Sequence, residues 1–311
     1  MITPEERFSI GLKALERIKP SNRNRRLLPP ASSSLDLAVS EAVIEAGLVK
    51  APSTLLSNPA PRVPSLQMLL AQFGPLYPYS AVLGSCEDGL PFLLDLTNPS
   101  PGSLLITAEA AGGKTRLLGS ILASIALLST PEQVSYCIIS PHPGEYSNLA
   151  HTPNCQAVLR PEDHHTGEWI EALALYAQQQ LQATDHGPVL VLAIDDLACC
   201  LQSFDKPFGF RDETQPYNIE QSLANLFWLI QNGAYGRVWV IATLPSRQAG
   251  IPDNQILEAF GTRLIGNIFD PALAAYLADD FNSGAGSLAA GQQFCVFFGE
   301  EWIRFWICAA D

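Results

Sequence analysis

Residues 103–115 read Ser-Leu-Leu-Ile-Thr-Ala-Glu-Ala-Ala-Gly-Gly-Lys-Thr. An apolar, β-forming run enters a loop of small residues. From Lys114 a helical pattern follows, carried by Leu117, Leu118, Ile121, Leu122 and Ile125. Strand, small-residue loop, Lys-Thr and helix is the order of a phosphate-binding loop. Small residues let successive backbone N–H groups converge on a phosphate, and the following helix adds the positive end of its dipole. On this reading the backbone of Ala110, Ala111, Gly112, Gly113, Lys114 and Thr115 cradles the phosphates of a nucleotide. The Lys114 ammonium reaches the β/γ-phosphates and the Thr115 hydroxyl sits on Mg²⁺. The pattern G-x-x-x-x-G-K-[ST] is met at Gly113, Lys114 and Thr115, but its first glycine is Ala108. A Cβ there is awkward if the turn needs a positive φ, and Glu109 sets a carboxylate beside an anion site. The competing reading is an ordinary strand–turn–helix with a surface lysine.

A second stretch bears on the choice. Val189-Leu190-Val191-Leu192-Ala193-Ile194 is a continuous apolar run, the signature of a strand buried on both faces of a parallel sheet. It ends in Asp195-Asp196, at the strand end where open α/β sheets bind ligands. Asp195 is expected to hold Mg²⁺ and Asp196 to polarise the attacking water. The alternative is that these acids cap the helix that follows, Leu197 to Leu201.

From Leu76 onward, strand and helix patterns alternate, which argues for a mainly parallel sheet with helices on both faces. Strands are expected near 81–84, 92–96, 103–107, 134–140, 189–195, 237–242, 262–266, 293–298 and 302–308. Helices are expected near 114–129, 166–184, 218–232, 253–260 and 270–279. The last two strands read as an aromatic hairpin turned at Gly299-Glu300-Glu301. Residues 202–217 read as a long loop offering Phe204, Lys206, Phe208, Phe210 and Arg211. Ahead of this domain (66–311), residues 1–65 read as a helical extension. It has an amphipathic pattern at 4–19, a basic cluster at 23–26, a second helical pattern at 35–48 and a Pro-rich linker at 51–64. That extension is the expected place for a protein partner to dock.

Composition narrows the options. Of the 311 residues 47% are hydrophobic, which fits a globular chain. The seven cysteines include no C-x-x-C pair and are expected as reduced thiols. A structural metal site is not expected, because no Cys/His pair has ligand spacing. The longest apolar run, Leu117 to Leu128, is short of the roughly 20 residues of a membrane span, and the N-terminus has no signal-peptide core. A cytoplasmic location is therefore expected. The net charge of −13 is uneven: residues 1–65 carry +3 and residues 66–311 carry −16. Such a surface repels a polyanion on average, so charge lends DNA binding little support.

Several further segments, in order, carry a family likeness. They are Ala81-Val82-Leu83-Gly84 with Pro91-Phe92-Leu93-Leu94-Asp95-Leu96, Ile138-Ile139-Ser140-Pro141 with Tyr146-Ser147-Asn148-Leu149, and the strand Arg237–Thr243 that follows Gly233-Ala234-Tyr235-Gly236. Gly261-Thr262-Arg263-Leu264-Ile265 and Leu288–Phe294 complete the set. With the two nucleotide motifs, the region from Leu76 to Asp311 resembles the motor domain of the FtsK/SpoIIIE branch of the FtsK–HerA ATPases. The resemblance implies a RecA-like P-loop NTPase fold, ATP with Mg²⁺, self-assembly as a ring (a hexamer in this family), and translocation of DNA or, in type VII secretion relatives, of protein. It also implies that Arg263 supplies positive charge in trans to a neighbour's γ-phosphate. The chain departs from the family pattern at Ala108, at Asp196 (where the family has Glu) and at Leu244 (where the sensor is polar). Binding of nucleotide is thus expected together with slow hydrolysis, or with a scaffold role in which ATP only joins subunits.

Overall fold

The computed structural model describes residues 63–73, 76–184, 186–205, 219–246 and 254–308. The expected helices at 4–19 and 35–48, the basic cluster at 23–26, and Lys206, Phe208, Phe210 and Arg211 lie outside the described residues.

Strand β3 (Leu104–Ala108) is buried at every position because it has a parallel neighbour on each side, β7 (Val238–Pro245) and β8 (Thr262–Ile265). Beyond β7 come β6 (Val189–Ile194), β4 (Val134–Ile139) and β5 (Cys155–Leu159), all parallel. Beyond β8 the sheet turns antiparallel through β9 (Gln293–Phe298), β10 (Glu301–Trp306), β1 (Ser80–Cys86) and β2 (Pro91–Asp95). The ten strands form one sheet in the order β2-β1-β10-β9-β8-β3-β7-β6-β4-β5. The β9–β10 turn holds Gly299 at φ 68, a backbone that glycine adopts at no steric cost.

Strand alternation divides the core in two. Leu104, Ile106, Ala193, Trp239, Ile241 and Leu264 pack on one face with helix α2 (Lys114–Leu128). Leu105, Leu192, Ile194, Val240, Ala242, Leu244 and Ile265 pack on the other with α4 (His164–Gln180), α5 (Leu197–Asp205), α6 (Ile219–Asn232) and α8 (Pro271–Ala278). Helices α1 (Leu66–Phe73), α3 (Ser147–Ala150) and α7 (Asn254–Ala259) complete the described elements. Helices on both faces of a largely parallel sheet is the expected fold class. Four local expectations needed correction. Strand β5 and helices α1 and α3 were not expected. The segment from 202 begins not as loop but as the end of α5, with Phe204 buried.

Candidate functional site

The parallel strands point their C-terminal ends at one rim, and the two sequence motifs meet there. Residues 109–113 leave β3 and enter α2, whose N-cap is Gly113 at φ 85 with no side chain capping the first turn. Gly113 therefore offers no side chain to cap the opening N–H groups of this fifteen-residue helix. Close packing fixes the loop. A Cβ on Gly113 would come within 2.8 Å of the Gly291 carbonyl oxygen, and one on Gly112 within 2.7 Å of both the Ala108 methyl and the Glu109 carbonyl oxygen.

Ala108 is not the awkward residue the motif suggests. It is a regular strand residue paired with Pro245, and the positive φ values fall at Ala111 (56°) and Gly113 (85°). Its buried methyl fills space left free by Gly112 and by Gly266, where a Cβ would come within 2.8 Å of it. The unusual strain sits at Ala111, a non-glycine residue in the left-handed region.

Lys114 folds back over the loop, its Nζ donating to the carbonyls of Ala108 (3.0 Å) and Glu109 (2.8 Å). Burial lowers its pKa, while the charges of Asp195, Asp196 and Glu109 pull it back up. Glu109 thus lies within electrostatic reach of the ammonium and is half-buried, not turned out to open solvent.

Asp195 is buried at the end of β6 and collects hydroxyl donors from three elements. Thr115 of α2 donates from 3.2 and 3.3 Å, Thr243 of β7 donates to Oδ1 at 2.8 Å, and Ser140 beyond β4 donates to Oδ2 at 3.5 Å. A buried carboxylate with hydroxyl oxygens beside it is a hard-oxygen donor set, the chemistry Mg²⁺ takes. Thr115 and Asp195 fit that ion. Sequence reasoning singled out both, but not Ser140 or Thr243.

Asp196 stands differently. Its backbone sits at φ 65, its N–H donates to Thr243 Oγ1 (2.8 Å), and its Oδ1 accepts the Cys199 N–H (3.0 Å). That carboxylate oxygen is a helix cap for α5, the alternative the sequence left open. Arg263 turns away from the loop: its guanidinium donates to the backbone carbonyls of Leu257 (3.0 Å) and Leu277 (3.2 Å) at the ends of α7 and α8. Cations at helix C-termini are stabilising, so within one chain Arg263 acts as a clamp between helices. Leu244 is buried on the far face of the sheet, opposite Thr107, and does not face the pocket. The polar residue of β7 that does reach the site is Thr243.

A cavity of about 500 Å³ opens at Lys114 and Thr115, lined by Gly112, Lys114, Thr115 and Arg116 and by Glu145 and Tyr146. Tyr146 ends a 3₁₀ turn (Pro143–Tyr146) tied to β4 by the His142 N–H on Ser140 Oγ (3.0 Å).

Comparison with known proteins bears on the fold. No protein-family model matches the chain. A curated protein, the ESX-3 secretion system protein EccC3 of Mycobacterium tuberculosis, is 30% identical over 154 residues, 47% of this chain. The match spans only 12% of that relative's length. Among solved structures, the cytoplasmic domain of the type VII secretion ATPase EccC of Thermomonospora curvata superposes over 76% of this chain and 29% of its own (TM-score 0.57, 14% identity). The pCW3 conjugation coupling protein TcpA, solved with ATPγS, covers 75% of this chain and 66% of its own (TM-score 0.58, 15% identity). EssC (ATPases 2 and 3) of Geobacillus thermodenitrificans covers 76% of this chain (TM-score 0.57, 14% identity). The fold is that of a P-loop ATPase domain. No helix among the described residues is long and apolar enough to cross a membrane.

Proposed function

We propose that this chain is an ATP-binding ATPase of the FtsK–HerA type with slow turnover. The carrying observation is the contact of Thr115 with Asp195 at 3.2 Å beside Lys114, at the mouth of a loop whose Gly113 offers the helix no side-chain cap. In this reading the backbone from Ala110 to Thr115 and the Lys114 ammonium hold the triphosphate. Thr115 and Asp195 hold Mg²⁺, which when bound neutralises charge that builds on the phosphates. Asp196 is the residue available to orient water, and its cap on α5 works against that task. Residues 66–311 form the nucleotide domain and residues 1–65 a partner-binding extension.

The work done with ATP is assigned to a protein client, in an oligomer that operates in the cytoplasm. The charge of −16 on residues 66–311 disfavours a nucleic-acid track, and the printed names of EccC3 and of the Thermomonospora curvata EccC speak of secretion. A second reading, a DNA-translocating ring of the FtsK kind, draws on the likeness to a conjugation coupling protein. A ring, a hexamer on the family pattern, is proposed for either. Steady-state phosphate release with and without double-stranded DNA at low salt separates them. Turnover unmoved by DNA supports the protein client, and stimulation by DNA replaces it with the translocase.

A further inference from the structure

Between the end of β5 and the first turn of α4 the chain gathers side chains of metal-ligating type. Asp163, His164 and His165 each bring one ligand atom into a group whose members all lie within 4.8 Å of one another. Asp163 Oδ1 is 3.3 Å from His164 Nδ1, and the two imidazole ring centroids are 3.7 Å apart. Glu168, one turn on, sets its Oε2 3.0 Å from His165 Nδ1. Ligand spacing read along regular elements misses such a group. At the N-cap the backbone is still extended (φ −71, ψ 133 at Asp163), which lets the carboxylate reach the side chains of the turn that follows.

Local hydrogen bonds hold this backbone in place. Asp163 Oδ1 accepts the His165 N–H (3.2 Å), Thr166 Oγ1 donates to the Arg160 carbonyl (2.7 Å), and Ser203 of α5 donates to the Pro161 carbonyl (2.9 Å). Ligand atoms about 2.0–2.2 Å from a four-coordinate ion stand roughly 3–3.5 Å from one another. The Asp163–His164 and His165–Glu168 contacts have that spacing. Charge agrees with it. Arg160 pairs with Glu162 (3.8 Å), so the carboxylates of Asp163 and Glu168 are left to balance a divalent ion. Two negative charges outweigh the half positive charge of the helix N-terminus. Imidazole with carboxylate suits Zn²⁺, Ni²⁺ or Cu²⁺, whereas Mg²⁺ takes oxygen ligands alone.

We propose that Asp163, His164 and His165, with Glu168 as the carboxylate partner of His165, bind a divalent transition-metal ion of the Zn²⁺ class. The site lies at the edge of the sheet, where β5 is separated from β6 and Asp195 by β4, and it is distinct from the Mg²⁺ pocket. His164 is well exposed, so the ion keeps a position open to solvent.

Zn²⁺ is titrated calorimetrically into the full chain in excess Mg²⁺, which fills sites made of oxygen alone. The wild type is compared with the double variant His164→Ala/His165→Ala, with Asp163→Asn and with Glu168→Gln. The wild type binds one Zn²⁺ per chain more than the double variant. Affinity at that site falls on the order of 10- to 100-fold in Glu168→Gln, as for other outer partners of metal ligands. Asparagine caps a helix as well as aspartate does, so Asp163→Asn keeps the turn, loses a charged ligand and binds at least about tenfold more weakly. Should the double variant not fold, Asp163→Asn carries the test. Wild-type stoichiometry and affinity in the variants overturn the proposal and assign any bound Zn²⁺ to thiols or to other carboxylates. Absence of Zn²⁺ binding in the wild type overturns it as well.

Discussion

Replacing Asp196 with glutamate sets two effects of this structure against each other. The Asp196 Oδ1 caps α5 through the Cys199 N–H, and its backbone occupies the left-handed region that aspartate tolerates better than most residues. Asp196→Glu loses the cap, a cost of about 1 kcal/mol, and adds backbone strain. A total of about 1–2 kcal/mol lowers the melting temperature by roughly 2–8 °C in a domain of this size. The same substitution carries the carboxylate out by one methylene, about 1.5 Å. Because ~1 Å of misplacement can cost on the order of 100-fold in rate, turnover should rise by roughly 10- to 100-fold. Phosphate release and thermal melting on the two proteins read both effects. A fall in stability without a rise in turnover removes Asp196 from the chemistry. An unchanged melting temperature refutes the capping account.

Thr243→Val deletes the hydroxyl that joins Oδ1 of Asp195 to the Asp196 N–H. Hydrogen bonds to charged groups contribute about 1.5–3 kcal/mol, so Mg²⁺-dependent nucleotide affinity should fall and Thr243→Ser should restore it, as calorimetry can establish. Arg263→Ala breaks the clamp on the Leu257 and Leu277 carbonyls. The melting temperature should drop. Wild-type stability combined with lost turnover would instead mark Arg263 as the charge supplied in trans. Lys114 holds its proton less tightly than an ordinary lysine at 10.5, because burial disfavours the charged form. Phosphate needs that charged form, so affinity for ATP should weaken as pH rises through the lowered pKa, before the ordinary lysine range. A flat profile up to that range would contradict it.

The parallel core was legible because strands buried on both faces are uninterrupted apolar runs, as in Val189–Ile194 and Val238–Ala242. Strand β5 escaped because it is short, lies at the sheet edge and carries Gln156 among its five residues. Lys114, Thr115 and Asp195 were found because their chemistry is written at fixed spacing along the chain. Ser140 and Thr243 were not, since only the alignment of neighbouring strands β4, β6 and β7 brings them to Asp195. One signal was available: alternation along β7 puts Thr243 and Leu244 on opposite faces, so the pair cannot both face a nucleotide. The competition at Asp196 between capping a helix and facing the pocket depends on its backbone angle and its bond to Cys199, and motif spacing carries neither.

Whether an ammonium folded over its own loop and a carboxylate ringed by hydroxyls await a magnesium triphosphate is settled most directly by calorimetric titration of Mg²⁺ and ATPγS into the wild type and Lys114→Ala. The wild type should bind, and loss of the charge-assisted contacts made by the lysine, about 1.5–3 kcal/mol each, should weaken binding by on the order of 100-fold. Equal affinity in the two proteins would contradict the assignment of this pocket.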